Sequence, residues 1–428
     1  MTILLKDALV YSGAGFELRS VLIHDFVIGG LSVSFSDLNV QAINARVIDC
    51  KSKLLLLPGF ADVHVHLREP GFSYKETIKT GTEAAAAAGY TLLCTMPNVN
   101  PVPDCPENLK VQTDMIERDA VIDVLPFASI TKNRRGRGEL VDFAALAPMV
   151  AGFSDDGTGI QTGDLMEEAM RRCVKTGKLI SAHCEDESLL HGGYIHDGAY
   201  CRAHGHKGIC AESEWGQIER DLALAEKTGC RYHVCHISTK ESVQLIREAK
   251  KRGVPVTCET APHYLVLCED DLQEDGRFKM NPPLRSAADK QALIEGVQDG
   301  TIDVIATDHA PHSAEEKARG LKGSAMGVVG LETAFPVLYT KLVKTGVISL
   351  ERLVQMMSVR PREIFGLAGG KIEPGAPADL CLIDPERVFT VEPDKFKSKG
   401  RATPFAGMQL QGVNLLTLRR GEIVYEAL

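Results

Sequence analysis

The chain has 428 residues, 44% hydrophobic and 25% charged, with a formal net charge of −9. That length suits one large domain of ~250–300 residues plus a smaller one. The acidic balance, without any basic block, excludes a nucleic-acid surface, and no apolar run approaches the ~18 residues a membrane helix needs.

Lys6 interrupts the apolar N-terminal stretch and no cleavage-type site follows, so no secretory signal is expected. Residues 1–53 read as short strands and turns, such as "FVIGGLSVSF". From Leu54 the pattern alternates between apolar strands and amphipathic helices. The spacing predicts a strand at Leu54–His66, a helix at Ser73–Ala88 and a strand at Thr91–Asn98. A helix follows Pro106. Further strands fall at Ile122–Ile130 and Ala151–Asp156. A helix at Asp164–Thr176 leads to a strand at Leu179–Glu185. The helix Glu214–Thr228 precedes a strand at Arg231–Ser238. The helix Lys240–Arg252 precedes Val254–Thr260, and the helix Ala287–Asp299 precedes Ile302–Asp308. A helix at Leu331–Lys344 ends the series.

Eight such repeats predict an α/β fold, a (β/α)₈ TIM barrel, over residues 54–372. A doubly wound sheet is the runner-up, but no Gly-rich dinucleotide fingerprint follows any strand. Residues 373–428 return to short strands, including "ADLCLID" and "GEIVYEAL". Neither terminus holds a core alone, so residues 1–53 and 373–428 are expected to form one composite β domain. The twelve cysteines are scattered, which fits reduced thiols in a cytoplasmic protein.

In such a barrel the active site lies at the C-terminal strand ends. There the sequence places His64 and His66, Asn98, the pair Asp155–Asp156, His183, the pair His233 and His236, and Asp308, His309 and His312. Imidazole and carboxylate are what a catalytic zinc site uses. Two metals ~3.5–4 Å apart would share a hydroxide and polarise a carbonyl oxygen. Alternation leaves two choices open: in "HVCH" and in "FSDDG" the paired side chains oppose, and the pattern does not say which faces the lumen.

"DVHVHLREPG", "MPNVNP", "FSDDG", "AHCED", "HVCHIST", "KMNPPLR" and "IATDHAPH" together resemble the amidohydrolase superfamily, and more closely its bacterial class I dihydroorotases. The resemblance covers nearly the whole chain. It implies His64, His66 and Asp308 on one zinc ion, His183 and His236 on a second, and Asp156 as the bridge. One or two ions per chain are expected. No lysine occurs between Lys132 and Lys175, so a carbamylated lysine from the fourth strand is not expected. Substrate contacts implied are His66, Arg68, Asn98, Asn281, His312 and backbone groups at Met326 and Gly327.

The activity implied is the reversible cyclisation of N-carbamoyl-L-aspartate to L-dihydroorotate and water by a metal-activated hydroxide, a step of pyrimidine biosynthesis. Asp308 is the implied catalytic proton carrier, and Arg68 would hold the substrate carboxylate. An ion pair with Glu69 is the other role open to Arg68. Asn98 and Asn281 could instead shape turns beside proline, and His312 could cap its loop. "HAPHSAEEKARGLKGSAMG" reads equally as a lid or a plain loop. The partners expected are a small-molecule substrate, a second copy in a homodimer and aspartate carbamoyltransferase, with no nucleic acid and no membrane. The rival readings are a hydantoinase or allantoinase, and a non-catalytic scaffold of the same fold.

Overall fold

The computed structural model describes residues 2–32 and 44–428. Residues 33–35 of the predicted N-terminal strands lie outside them. The chain begins with β1 (Ile3–Tyr11), β2 (Phe16–His24), β3 (Val27–Ser32), β4 (Arg46–Asp49) and β5 (Leu55–Pro58). After Gly59 come β6 (Phe60–Val65), β7 (Tyr90–Thr95), β8 (Asp123–Pro126) and β9 (Ile180–Ala182). A two-strand ribbon, β10 (Ile195–His196) and β11 (Gly208–Ile209), fills the loop beyond β9. Then follow β12 (Tyr232–Val234), β13 (Val256–Thr260) and β14 (Val304–Ile305), and finally β15 (Leu380–Thr390), β16 (Gln409–Arg419) and β17 (Glu422–Glu426).

The central strands close into a parallel barrel in chain order. β6 pairs with β7 and β7 with β8. β9, β12, β13 and β14 form the other arc. Phe153 joins the two arcs, bridging Ala128 on one side and Ile180 on the other. Val65 bridges His309 and closes the ring. The predicted fourth strand, Ala151–Asp156, is therefore present as these single bridges and not as a longer ladder.

The two chain ends share one sheet, ordered β17-β16-β15-β5-β1-β2-β3, with β4 also on β1. The antiparallel pairing of β5 with β15 joins them. The predicted strand Leu54–His66 is thus two strands, and its first half belongs to this sheet. Leu56 packs into the sheet's own core with Leu5, Leu380 and Leu418, while Leu55 and Leu57 pack into the barrel's core. Both faces of β5 are buried, so its leucines do not alternate with polar residues and the sequence runs on unbroken into β6. Gly59 makes the passage: a Cβ there would meet Thr91 Oγ1 at 2.5 Å. All twelve cysteines are free thiols, and among the described residues no helix is long and apolar enough to cross a membrane.

Candidate metal centre and substrate pocket

The predicted rim residues converge on one buried cluster. His64 Nε2 lies 3.3 Å from Asp156 Oδ1 and 3.5 Å from Asp308 Oδ1. His66 Nε2 lies 3.0 Å from Asp308 Oδ1 and 3.6 Å from Asp156 Oδ2. His183 Nδ1 and His236 Nε2 face each other at 3.0 Å, at 3.7 and 3.6 Å from Asp156 Oδ1. Asp156 stands between the two groups of histidines and touches all four.

Backbone conformation explains how opposed side chains reach one site. β12 sends His233 into the barrel, and by alternation His236 would point outward. The left-handed backbone at His236, φ 31°, brings it round, and Asp308 adopts the same region at φ 49°. Non-glycine residues held there are strained, and such strain gathers at functional sites. The aspartate pair divides its work similarly. Asp155 Oδ1 accepts from Ile130 N at 2.7 Å and Thr131 N at 3.1 Å, fixing the neighbouring loop, which leaves Asp156 for the histidines.

A cation fits this cluster. His64 Nε2 and Asp156 Oδ1 are buried and have no hydrogen-bond partner among the described residues, an expensive state unless something binds them. Ligand atoms of His64, His66 and Asp308 lie within 4.8 Å of one another, as do those of His64, Asp156 and His236. Burial would raise the Asp156 pKa, yet His64, His236 and His66 hold it well below the usual carboxylate range. Burial works against a charged His64 imidazole, yet Asp156 and Glu259 push its pKa well above the ordinary value, so the cluster favours positive charge at that ring. A third grouping, His64 with Cys235 and Glu259, is already closed by the His64 Nδ1–Glu259 contact of 2.6 Å.

That contact is a feature the motif reading passed over. Glu259, on β13, is fully buried and grips two histidines: His64 Nδ1, and His233 Nε2 at 3.1 Å. Thr257 Oγ1 donates to His233 Nδ1 at 2.8 Å behind it. With Glu259 accepting at Nδ1, His64 presents Nε2 as a free lone pair, the tautomer a metal ligand needs. Asn98 does the same for His66, its Oδ1 accepting from Nδ1 at 2.8 Å. A lone glutamate inside the buried run "VPVTCET" was the available signal, because a buried carboxylate demands a partner.

Beside the cluster stand two cations, Arg68 and Lys75, on either side of His312. β6 ends at Val65, so strand geometry does not carry Arg68 inward. A left-handed turn does, at φ 63°. Its Nε donates to Pro311 O at 3.0 Å and its Nη2 lies 3.3 Å from His312 Nε2. Glu69 instead accepts from Ile78 N at 2.8 Å. Among the described residues no carboxylate stands within 4.0 Å of Arg68, although the residue is 8% exposed. Burial pulls its pKa down to about 10. Lys75 Nζ approaches His312 Nδ1 at 3.3 Å, and burial with these two cations pulls the imidazole down to about 3.

Asn281 and the loop after β14 form the far wall. Asn281 Nδ2 donates to Glu185 Oε1 at 3.0 Å, while its buried Oδ1 has no partner among the described residues. His312 Nε2 donates to Met326 O at 2.8 Å, so it does cap its own loop. The backbone of Gly327 is already engaged, with N–H on Lys279 O at 3.1 Å and C=O on Lys317 Nζ at 2.7 Å. Gly327 is needed there, since a Cβ would meet Ala310 O at 2.7 Å.

The "Dihydro-orotase-like" family model matches residues 53–242, and an "Amidohydrolase family" model matches residues 216–425. A dihydroorotase of Fusobacterium nucleatum subsp. nucleatum is 49% identical, over 99% of this chain and 98% of its own. One of Geobacillus thermodenitrificans is 52% identical over 90% of each. The chain belongs to the dihydroorotase family. As a family member it is a metal-dependent hydrolase of cyclic amides, and the hydantoinase alternative has less behind it. Solved structures do share the barrel and terminal sheet with hydantoinases. The L-hydantoinase of Arthrobacter aurescens superimposes with a TM-score of 0.86, covering 99% of this chain and 96% of its own, at only 26% identity. The dihydropyrimidinase of Brevibacillus agri gives 0.86 at 23%, over 100% and 95% of the two chains.

Proposed function

We propose that the chain interconverts N-carbamoyl-L-aspartate and L-dihydroorotate with release or uptake of water, within pyrimidine biosynthesis. The observation that carries the choice of substrate is Arg68, a buried guanidinium without a carboxylate partner among the described residues, beside the cluster of candidate metal ligands. A dihydroorotate carboxylate would complete it in a bidentate pair.

In this reading His64, His66, Asp156, His183, His236 and Asp308 would hold one or two zinc ions. Divalent cations there would lower the pKa of a water toward ~7 and polarise a carbonyl oxygen. The residues around them do the rest. Arg68 and the free Oδ1 of Asn281 orient the ring so that its amide carbonyl faces the Asp156–Asp308 side. Asn98 holds His66 by its Oδ1, and its Nδ2, without a partner among the described residues, is a donor for the substrate. Asp308, its pKa lowered by His66 and His64 against the effect of burial, begins as a carboxylate. It takes the proton of the attacking water as the new C–O bond forms, and gives it to the ring nitrogen as the C–N bond breaks. Cyclisation is the reverse.

The homodimer, the contact with aspartate carbamoyltransferase and the cytoplasmic location belong to the same proposal. So does the division into a catalytic barrel and a β domain from both termini, with the border after β5 and not at residue 54. Purified protein assayed side by side on dihydroorotate, hydantoin and allantoin tests the reaction. Turnover of dihydroorotate alone is expected, and Asp308→Asn should reduce it by ~10²–10⁴-fold with most metal still bound. A preference for hydantoin or allantoin would overturn the assignment.

A further inference from the structure

Lys317 is 7% exposed and, among the described residues, has no carboxylate within 4.0 Å. Its Nζ instead donates to three backbone carbonyls: Lys279 O at 3.0 Å, Ala325 O at 2.8 Å and Gly327 O at 2.7 Å. Three acceptors match the three N–H bonds of an ammonium, and no neutral side chain of that length offers as many donors. Burying such a charge is costly, so the three carbonyl dipoles must face it together. Its own backbone is held too, its C=O accepting from Ser324 Oγ at 2.9 Å.

The carbonyls come from two separate segments. Lys279 lies two residues before Asn281, on the loop beyond β13. Ala325 and Gly327 flank Met326, whose C=O fixes the His312 ring. Lys279 O also takes the Gly327 N–H at 3.1 Å, so the ammonium sits where the loops already touch, beside a second tie from Lys279 Nζ to Lys322 O at 3.0 Å. One residue earlier, Glu316 ties the same short turn to the loop beyond β6 through Lys75 Nζ at 3.0 Å. The segment Ser313–Gly327 is thus pinned at adjacent residues to both neighbouring loops.

The geometry points to Lys317 as a positioning residue for substrate binding: its ammonium holds the Asn281 loop and the His312–Gly327 loop at a fixed separation. It touches neither substrate nor metal and acts through the residues that do. This rests on the dihydroorotate reading above, because those loops are the substrate wall only in that reading.

The test measures KM and kcat for dihydroorotate, and metal affinity by chelator competition, in Lys317→Met. KM is expected to rise ~10–100-fold, the loss typical of hydrogen bonds to a buried charge, with kcat within about threefold and metal affinity unchanged. A structural role alone would lower the active fraction, and with it kcat, but leave KM in place. Lys317→Arg, which keeps a charged donor, should recover part of the KM loss, and Lys317→Gln should fall between. A folded Lys317→Met whose KM stays within twofold of wild type (~0.4 kcal/mol) overturns the assignment. So does a joint loss of kcat and metal affinity, or failure of all three variants to fold. Wild-type protein inert toward dihydroorotate would instead bring down the substrate reading, leaving the Lys317 clamp without its purpose.

Discussion

Arg68 and His312 show how single residues acquire their properties from neighbours. Arg68→Ala should raise KM for dihydroorotate ~10–100-fold, with kcat much less affected; an unchanged KM would remove the carboxylate role. His312 is bracketed by Arg68 and Lys75, which disfavour a third positive charge. With its pKa pulled down to about 3, it is neutral everywhere above pH 4 or so. Between pH 5 and 8 its ring resonances should therefore not titrate, as followed by ring-nitrogen NMR, and kcat/KM should carry no limb belonging to it. A His312 titration near 6.5 would mean that the two cations do not face it as described. His64 and His66 were legible because two histidines two apart on a strand leave a pattern. Arg68 was legible as a residue but not in its route, since alternation ends at Val65 and a left-handed turn takes over. Glu259 left no motif at all, and only its burial betrays it.

At the scale of elements, the sequence marks helices better than strands. The predicted helix Ala287–Asp299 and the start of the helix at Lys240 coincide with the structure, because serine or threonine caps and amphipathic spacing are local signals. β9, β12 and β14 run only two or three residues, and their predicted spans were longer because they ran on through the polar residues of the strand exits, such as His183, His236 and Asp308. Their exits are set by buried polar contacts from other elements, which no local pattern records. Glu214 is the clearest case. From the helix Glu212–Thr228 it accepts from Ser238 N at 2.9 Å, Thr239 N at 3.1 Å and Ser242 Oγ at 2.7 Å. It thereby shapes the turn that carries His236 from β12 into the next helix. Glu214→Ala leaves those donors buried without a partner and should destabilise the protein by at least ~2 kcal/mol. Denaturant unfolding would register this, and a change under ~0.5 kcal/mol would mean water replaces the carboxylate freely.

Across the whole molecule, the barrel was legible from eight alternating repeats, while its border with the terminal sheet was not, because β5 is buried on both faces and reads as barrel. The candidate metal site would tie the barrel together on a larger scale. Its candidate ligands come from residues 64 to 308, spread over five of the eight strand ends, so a cation bound there joins segments distant in the chain. In the unfolded chain those ligands are scattered, and binding falls almost wholly on the folded state. Metal present at ~1,000 times its dissociation constant then adds ~4 kcal/mol to stability. Without it, Asp156 and Asp308 are buried together with imidazoles and the more distant Arg68 to balance them. Stripping the protein with dipicolinate should abolish turnover and lower the thermal midpoint by several degrees, and one to two equivalents of zinc should restore both. The terminal sheet keeps its own core around Leu5, Leu56 and Leu380, so the loss should be largest in the barrel, as amide exchange of β6 and β12 against β1 and β16 would report. A thermal midpoint indifferent to chelator would separate the cluster from metal binding, and the proposed chemistry would fall with it.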